Sequence, residues 1–403
     1  MLKDPASGPG RFPSFLTGSV GWWTGFWPDA LVVLVLLTLA ITPFIEAIWQ
    51  PGHVPFGLDM AQHYAREAFN RVAFNEAWVP LWNPYEFSGF PAQADPQTGV
   101  FYPPNMLLRL FTVPTFLTWT VVFHVWLFGV GGYVLCRTLG VDRPAAAVAG
   151  AALMLGGITT GRMYAGHLDV LRTVAWVPLV LAAAMQSLDR ETVRPSAAVV
   201  TTLVLVLLSG HLQYVVYTFG AVAFYAAFRA VWPVTGPATW ACTRRVAMQF
   251  VVLIVLVIGL TAFQLLPTAR LVMSVGRTDG VPYRIAIEDR LPLRDVPRAM
   301  FLPQRTGEFS EFPQEFWEST AYVGWLPAAL APLGLILGRR QPRVVFLILL
   351  GALALGLAMG GPLYRLHHLV FPMFRIPGRL LCFWAIVVAV LGALALDWPA
   401  RGR

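Results

Sequence analysis

Charge is what this sequence has least of. Only 12% of its 403 residues are Asp, Glu, Lys or Arg, against 57% in the hydrophobic set, where a soluble domain is about a quarter charged. A water-soluble fold of this size could not cover its own surface, which excludes an ordinary cytosolic enzyme. A disordered chain is excluded for the same want of polarity. Cysteine is almost absent: Cys136, Cys242 and Cys382 stand far apart with no CxxC pair, so neither a disulfide framework nor a zinc ribbon is suggested. No Gly-x-Ser-x-Gly and no Walker loop occurs, which removes the hydrolase and nucleotide-driven classes. His53, His63, His167, His211, His367 and His368 contain no HxxxH or HxH pair, and two adjacent histidines cannot both face one ion on a helix. A divalent metal is therefore possible but not indicated, and no cofactor is expected.

Against those absences stand long apolar blocks of about twenty residues, the length that crosses a hydrocarbon core. About ten spans are expected, at 28–50, 115–136, 145–163, 170–187, 196–209, 213–231, 246–267, 321–338, 344–360 and 380–398. The expected fold is an all-α polytopic membrane protein. The net charge of +8 comes from Arg at the ends of these blocks, which reads as topology and not as a nucleic-acid partner. Arg137 and Arg143, Arg190 and Arg194, Arg244 and Arg245, then Arg339, Arg340 and Arg343 fall in alternate connections. By the positive-inside rule those connections are cytoplasmic, with both termini. The division is a tail 1–27, one transmembrane domain 28–398 with outer loops 51–114, 268–320 and 361–379, and a tail 399–403. The first block lacks a small-residue cleavage site and reads as a retained span.

Span interiors are nearly free of ionisable groups, which argues against an ion-coupled pump. Chemistry is expected in the outer loops. After Gly57-Leu58-Asp59, good helix formers run from Met60 to Trp78, placing Asp59, Gln62, His63 and Arg66 on one helical face beside an apolar stripe of Ala65, Phe69, Val72 and Ala73. Such a helix lies along the membrane surface. Asp59 is open to two roles, helix cap or general base. Trp82, Asn83, Tyr85, Gln97 and Tyr102 follow among closely spaced prolines and glycines, a rigid turn-rich segment whose rings suit a sugar face or an isoprenoid and whose amides suit hydroxyls. Gly166-His167-Leu168 and Gly210-His211-Leu212 repeat each other at two outer turns, with Asp169 and Gln213 following. They are either duplicated helix ends or two histidines offered to one cavity. Arg375 and Arg379 at the mouth of the last span, with Arg284, are the phosphate-binding candidates.

The strings Gly57-Leu58-Asp59, Pro80-Leu81-Trp82-Asn83-Pro84 and Phe101-Tyr102-Pro103-Pro104 resemble the YfhO-like bacterial membrane proteins. So do the two Gly-His-Leu turns, Tyr322-Val323-Gly324, and Phe374-Arg375-Ile376-Pro377-Gly378-Arg379. That family in turn resembles the GT-C glycosyltransferases. The resemblance implies a GT-C-like fold in the bacterial cytoplasmic membrane, a polyprenyl-phosphate sugar donor, an envelope glycan or other extracytoplasmic acceptor, and Asp59 as the catalytic base. It implies donor phosphate on Arg375, Arg379 and Arg284, and substrate contacts from His63, Arg66, Trp82, Asn83, Tyr85, Gln97, Tyr102, His167, Asp169, His211 and Gln213. Asp59 is followed by Met60, not by the second acid that many GT-C enzymes carry. A non-enzymatic carrier of a lipid-linked glycan, or an envelope-assembly protein, is the competing class.

Overall fold

A computed structural model describes residues 22–50, 52–55, 57–76, 79–233, 237–274, 280–302 and 316–401. Within them the chain is helical, with no strand beyond one isolated bridge between Asn83 and Phe90. The order is α1 (Trp22–Ile41), α2 (Ile45–Trp49), α3 (Met60–Glu76), α4 (Val113–Thr138), α5 (Arg143–Leu155), α6 (Gly157–Ala165), α7 (Leu168–Val174), α8 (Val177–Leu188) and α9 (Ala197–Leu208). It continues with α10 (Leu212–Val231), α11 (Trp240–Ser274), α12 (Tyr283–Ala286), α13 (Val296–Phe301), α14 (Trp325–Gly338), α15 (Pro342–Ala358), α16 (Pro362–Val370) and α17 (Leu381–Arg401).

Seven segments are long and apolar enough to cross a membrane, eight if α15 and α16, bent by 89° at their junction, count as one, and α9 and α14 are shorter apolar helices. All of these fall on blocks of the hydrophobic pattern, but only seven or eight of the ten expected spans reach crossing length, since Ala197–Leu208 and Trp325–Gly338 form shorter helices. Local chemistry sets their breaks. Gly156 is extended and separates α5 from α6 within one span. Pro178 starts α8 directly behind α7, a position where its missing N–H costs nothing. The expected loop 361–379 contains a further short helix, α16, started by Pro362 after Gly361.

The centre of the bundle is α17, buried over nearly all of its length. It meets α14 where Gly334 faces the Leu391 carbonyl, with no room for a Cβ. Small residues at such crossings let backbones approach, which is how helices gain contact in lipid. α11 is peripheral and shows what a lipid-facing helix looks like. Its buried stripe runs Val246, Gln249, Leu253, Val257, Thr261, Gln264, Thr268, while Val251, Val255, Ile258 and Leu266 face outward.

Polar groups gather at the two ends of the bundle. At one end Asp29 holds Arg143 at 2.9 Å and bonds to Tyr133, and Asp189 bridges Arg229 and Arg343, each at 2.8 Å. These residues belong to the Arg-rich connections and the helix ends beside them. The opposite end carries α3, the turn-rich segment after it, both Gly-His-Leu turns and the segments around 281–291, 316–324 and 371–380, which bond to one another.

Candidate active site

Two glycine-to-backbone contacts build the site. Gly166 is left-handed, with φ of 77°, and ends α6. Its flat surface receives the Gly57-Leu58-Asp59 turn, whose Leu58 and Asp59 amides donate to the Tyr164 and Ala165 carbonyls at 3.1 and 2.9 Å. A Cβ on Gly57 would come within 2.6 Å of the Gly166 Cα, so both positions require glycine. The second turn repeats the device: Gly210, φ 121°, lies under the Asp95-Pro96-Gln97 turn, and a Cβ there would come within 2.7 Å of the Pro96 carbonyl. Each Gly-His-Leu turn is thus docked on one acidic turn of the first loop.

That docking fixes the side chains. The Asp59 carboxylate, 53% exposed, lies 3.5 Å from His167 Nε2. Arg162 Nη1 lies 3.3 Å from His167 Nδ1. A guanidinium only donates, so Nδ1 accepts and the ring proton sits on Nε2, facing Asp59. Burial, and then Arg162, lower the affinity of His167 for a second proton. Arg162 continues to buried Glu318 at 2.5 Å, and Glu318 also holds Arg379 at 3.2 Å. Burial acts to raise the Glu318 carboxyl, but the two guanidiniums outweigh it and hold it below the carboxylate range. Arg379 donates to Gln213 Oε1 at 2.8 Å and reaches His211 Nε2 at 3.3 Å. Burial, then Arg379, bring His211 down to about 4. Asp169, buried at the start of α7, lies within electrostatic reach of His63, His167 and His211 together.

Beside this chain a cavity of about 520 Å³ opens, lined by Gln97, His211, Gln213, Phe374, Arg375 and Arg379 among others. Gln213 closes its corner by donating to the Arg375 carbonyl at 2.7 Å. The Arg375 side chain is exposed on the cavity wall, whereas Arg379 is engaged by Glu318, Gln213 and His211. Among the described residues no group of three or more His, Cys, Asp or Glu is arranged to hold a metal ion.

Other expected site residues lie elsewhere. Tyr102 is fully buried, bonded to His124 Nε2 and Trp176 Nε1 at 2.8 Å each, and no substrate can reach it: its run of prolines ties the loop into the bundle core. Asn83 is spent on its own turn, accepting from the Tyr85 amide at 3.0 Å and donating to Glu86. Trp82 and Tyr85 are exposed, at 57% and 86%, and line a different, larger groove of about 1070 Å³ along α3. Arg66 sits on that groove, paired with Glu86 at 2.7 Å. Arg284 is exposed on α12 and outside the arginine cavity. His63 is buried under α3, and burial lowers its proton affinity.

Several groups of the site were not among the sequence candidates. Glu318 is one of four closely spaced glutamates, with Glu308, Glu311 and Glu315, in a long loop, and nothing in their spacing singles it out. Arg162 does carry a signal: an Arg at the outer end of a span runs against the positive-inside rule, and a buried charge there needs a partner. Asp95 stands in the turn-rich segment beside Gln97, and burial pushes its carboxyl above the ordinary range.

No family model matches the sequence, and no curated protein matches it. Among solved structures the chain is similar to the oligosaccharyltransferase of Archaeoglobus fulgidus in its apo form, with a TM-score of 0.55 at 14% identity over 94% of this chain. The match covers 51% of that protein, so this chain spans about half of its length. The all-helical fold is therefore similar to that of this oligosaccharyltransferase. The YfhO-like resemblance rests on the sequence motifs alone.

Proposed function

We propose that this chain is a membrane glycosyltransferase that moves a sugar from a polyprenyl-phosphate-linked donor to an extracytoplasmic envelope acceptor. The proposal places it in the bacterial cytoplasmic membrane with both termini in the cytoplasm and loops 51–114, 268–320 and 361–379 outside. The observation that carries it is the chain of polar contacts that runs from an exposed carboxylate, Asp59, through His167, Arg162 and Glu318 to Arg379, which lines a cavity walled by arginine and amides that Asp59 itself does not line. The likeness of the fold to an oligosaccharyltransferase supports the same reading.

In this mechanism Asp59 takes the proton from an acceptor hydroxyl as its oxygen forms a bond to the anomeric carbon. The bond from that carbon to the phosphate oxygen breaks, the phosphate leaves with the electron pair, and the configuration inverts. His167 Nε2, 3.5 Å from the Asp59 carboxylate, faces it from the docked turn. Arg375, the exposed guanidinium, takes the departing charge, which is the arrangement a preorganised electrostatic site needs. Gln97, exposed on the cavity wall, faces the sugar hydroxyls. Gln213, whose amide is taken up by Arg379, Tyr217 and the Arg375 carbonyl, shapes the wall together with His211. Arg379 acts by orienting Gln213 and His211, since its own donors are occupied.

A positioned base is worth about 10²–10⁴ in rate. Asp59→Asn, purified in lipid nanodiscs with polyprenyl-phosphate sugar and acceptor, therefore loses transfer by at least about a hundredfold while melting like the parent. Arg375→Ala raises the donor KM and lowers kcat/KM by about 10- to 100-fold, the worth of a charge-assisted hydrogen bond. Release of polyprenyl phosphate by Asp59→Asn at the parental rate removes Asp59 from the role. No release by the parent protein returns the chain to the class of lipid-linked glycan carriers.

A further inference from the structure

The short helix α16 is turned inside out for a helix at a wet surface. Its buried face carries Tyr364 and His368, while Leu363, Leu366, Leu369 and Val370 are 42%, 63%, 73% and 69% exposed. At 3.6 residues per turn those four share one side of the helix, opposite the buried pair. The polar side is taken up by protein. Tyr283 donates to the Gly360 carbonyl at 2.7 Å and packs on Tyr364 and His368 with ring centroids 6.5 and 5.6 Å away. Arg365 lies over the same Tyr283 ring, 5.8 Å from its centroid. Residues 281–291 thus cover α16 from one side, and its leucines face away from them.

The direction of α16 identifies what lies on the other side. The preceding helix α15 has 17 apolar-rich residues, about 26 Å at 1.5 Å per residue, close to the thickness of a hydrocarbon core. α16 leaves it at 89°, so with α15 crossing the bilayer α16 runs along the bilayer plane. Gly360, φ 68°, makes the corner, where a Cβ would come within 2.9 Å of the Arg290 side chain, and Pro362 starts the new helix. A nine-residue helix at a right angle completes no crossing. Deep in the hydrocarbon an exposed Arg365 would be costly, whereas at the interface a guanidinium and a leucine stripe are both accommodated.

We infer that α16 is an in-plane membrane helix. Its leucine face inserts among the acyl chains of the leaflet at the site end of the bundle, and Arg365 stands at the level of the lipid phosphates. The chain continues from α16 through Phe371 into Phe374 and Arg375, which wall the arginine cavity, so the helix also fixes that wall against the bilayer surface. The inference requires a membrane-spanning bundle and is independent of the transferase reading.

The test reads depth. Leu366→Cys, Leu369→Cys and Arg365→Cys, each combined with Cys242→Ser, carry a nitroxide label on the full chain in nanodiscs of phosphatidylcholine and phosphatidylglycerol. Cys136 and Cys382 are buried and stay unlabelled. Labels at 366 and 369 are expected to collide with dissolved oxygen more often than with a water-soluble nickel chelate, at about 5–10 Å below the phosphates. The label at 365 is expected to lie shallower than both. Leu363→Cys and Val370→Cys repeat the reading wherever a labelled variant does not melt like the parent. Collisions favouring the chelate at the leucine positions put that face in water and overturn the inference. Low access to both reagents also overturns it, by showing a second copy or another protein on the face. Equal depth at 365 makes α16 part of a broken span, with the same consequence. Sugar transfer is read separately with donor and acceptor, so failure of either reading leaves the other standing.

Discussion

Glu318 carries two guanidiniums, Arg162 and Arg379, inside a site where its own exposure is negligible. Removing one partner of such a group leaves uncompensated charge and costs about 3–5 kcal/mol. Glu318→Gln is therefore expected to lower the melting temperature sharply, and a variant melting with the parent would show the ion chain to be dispensable. The histidines add a pH dependence of known sign. His63, His167 and His211 all bind a proton less readily in the fold, so the stability they contribute is present above an unfolded value of 6.5 and is lost as the pH falls, for His211 toward about 4. That single group is worth on the order of 3 kcal/mol. Asp95, raised by burial, acts in the opposite direction, and Glu318 gives way only at lower pH. Melting curves of His211→Asn should thus fall less steeply than the parent's between pH 6.5 and 4, and identical slopes would contradict the assignment. Tyr102 belongs to the same scale. Tyr102→Phe removes a hydroxyl shared by His124 and Trp176 and should cost about 1–3 kcal/mol of stability with transfer activity retained.

At the scale of elements, the two Gly-His-Leu turns are docking surfaces as well as helix ends. Gly210→Ala would put a methyl against the Pro96 carbonyl at a residue with φ of 121°. It is expected to displace Gln97 and His211 together, which donor-binding measurements on the folded variant would register. Wild-type affinity would show that the docking is incidental. The turns were legible in the sequence because a repeat is a pattern. Their partners were not, since contact between residues 57 and 166, or 96 and 210, leaves no trace in local spacing. α3 was legible as an amphipathic helix, but its orientation differs from a simple apolar-inward rule. Met60, His63, Glu67, Asn70 and Phe74 are its buried face, and Glu67 there pairs with buried Arg172 at 2.8 Å. Val72 faces outward with Trp82 and Tyr85. Polar groups of α3 point into the protein, and the apolar stripe of Ala65, Phe69, Val72 and Ala73 lines the groove shared with Trp82 and Tyr85. Tyr102 and Asn83 misled because ring and amide types that bind sugars are also those that lock turns and cores.

For the whole molecule, hydrophobic length located the candidate membrane-crossing segments, since the bilayer imposes that length on any chain, although seven or eight of the expected ten reach it. The alternation of Arg-rich connections grouped residues that the fold brings together at one end, such as Arg137 and Arg143 around Asp29. What no single segment could reveal is the convergence at the other end, where residues from four separated stretches share one cavity. The fold supplies that convergence, and it is similar to the fold of an oligosaccharyltransferase of which this chain spans about half the length. The central claim is that this cavity and Asp59 are two parts of one site. Its most direct test is a structure of the protein with a non-hydrolysable polyprenyl-phosphate sugar bound. The account predicts the phosphate on the Arg375 guanidinium and the anomeric carbon turned toward Asp59 and His167. A donor bound with its phosphate at the opposite end of the bundle, or with its sugar turned away from Asp59, would contradict it.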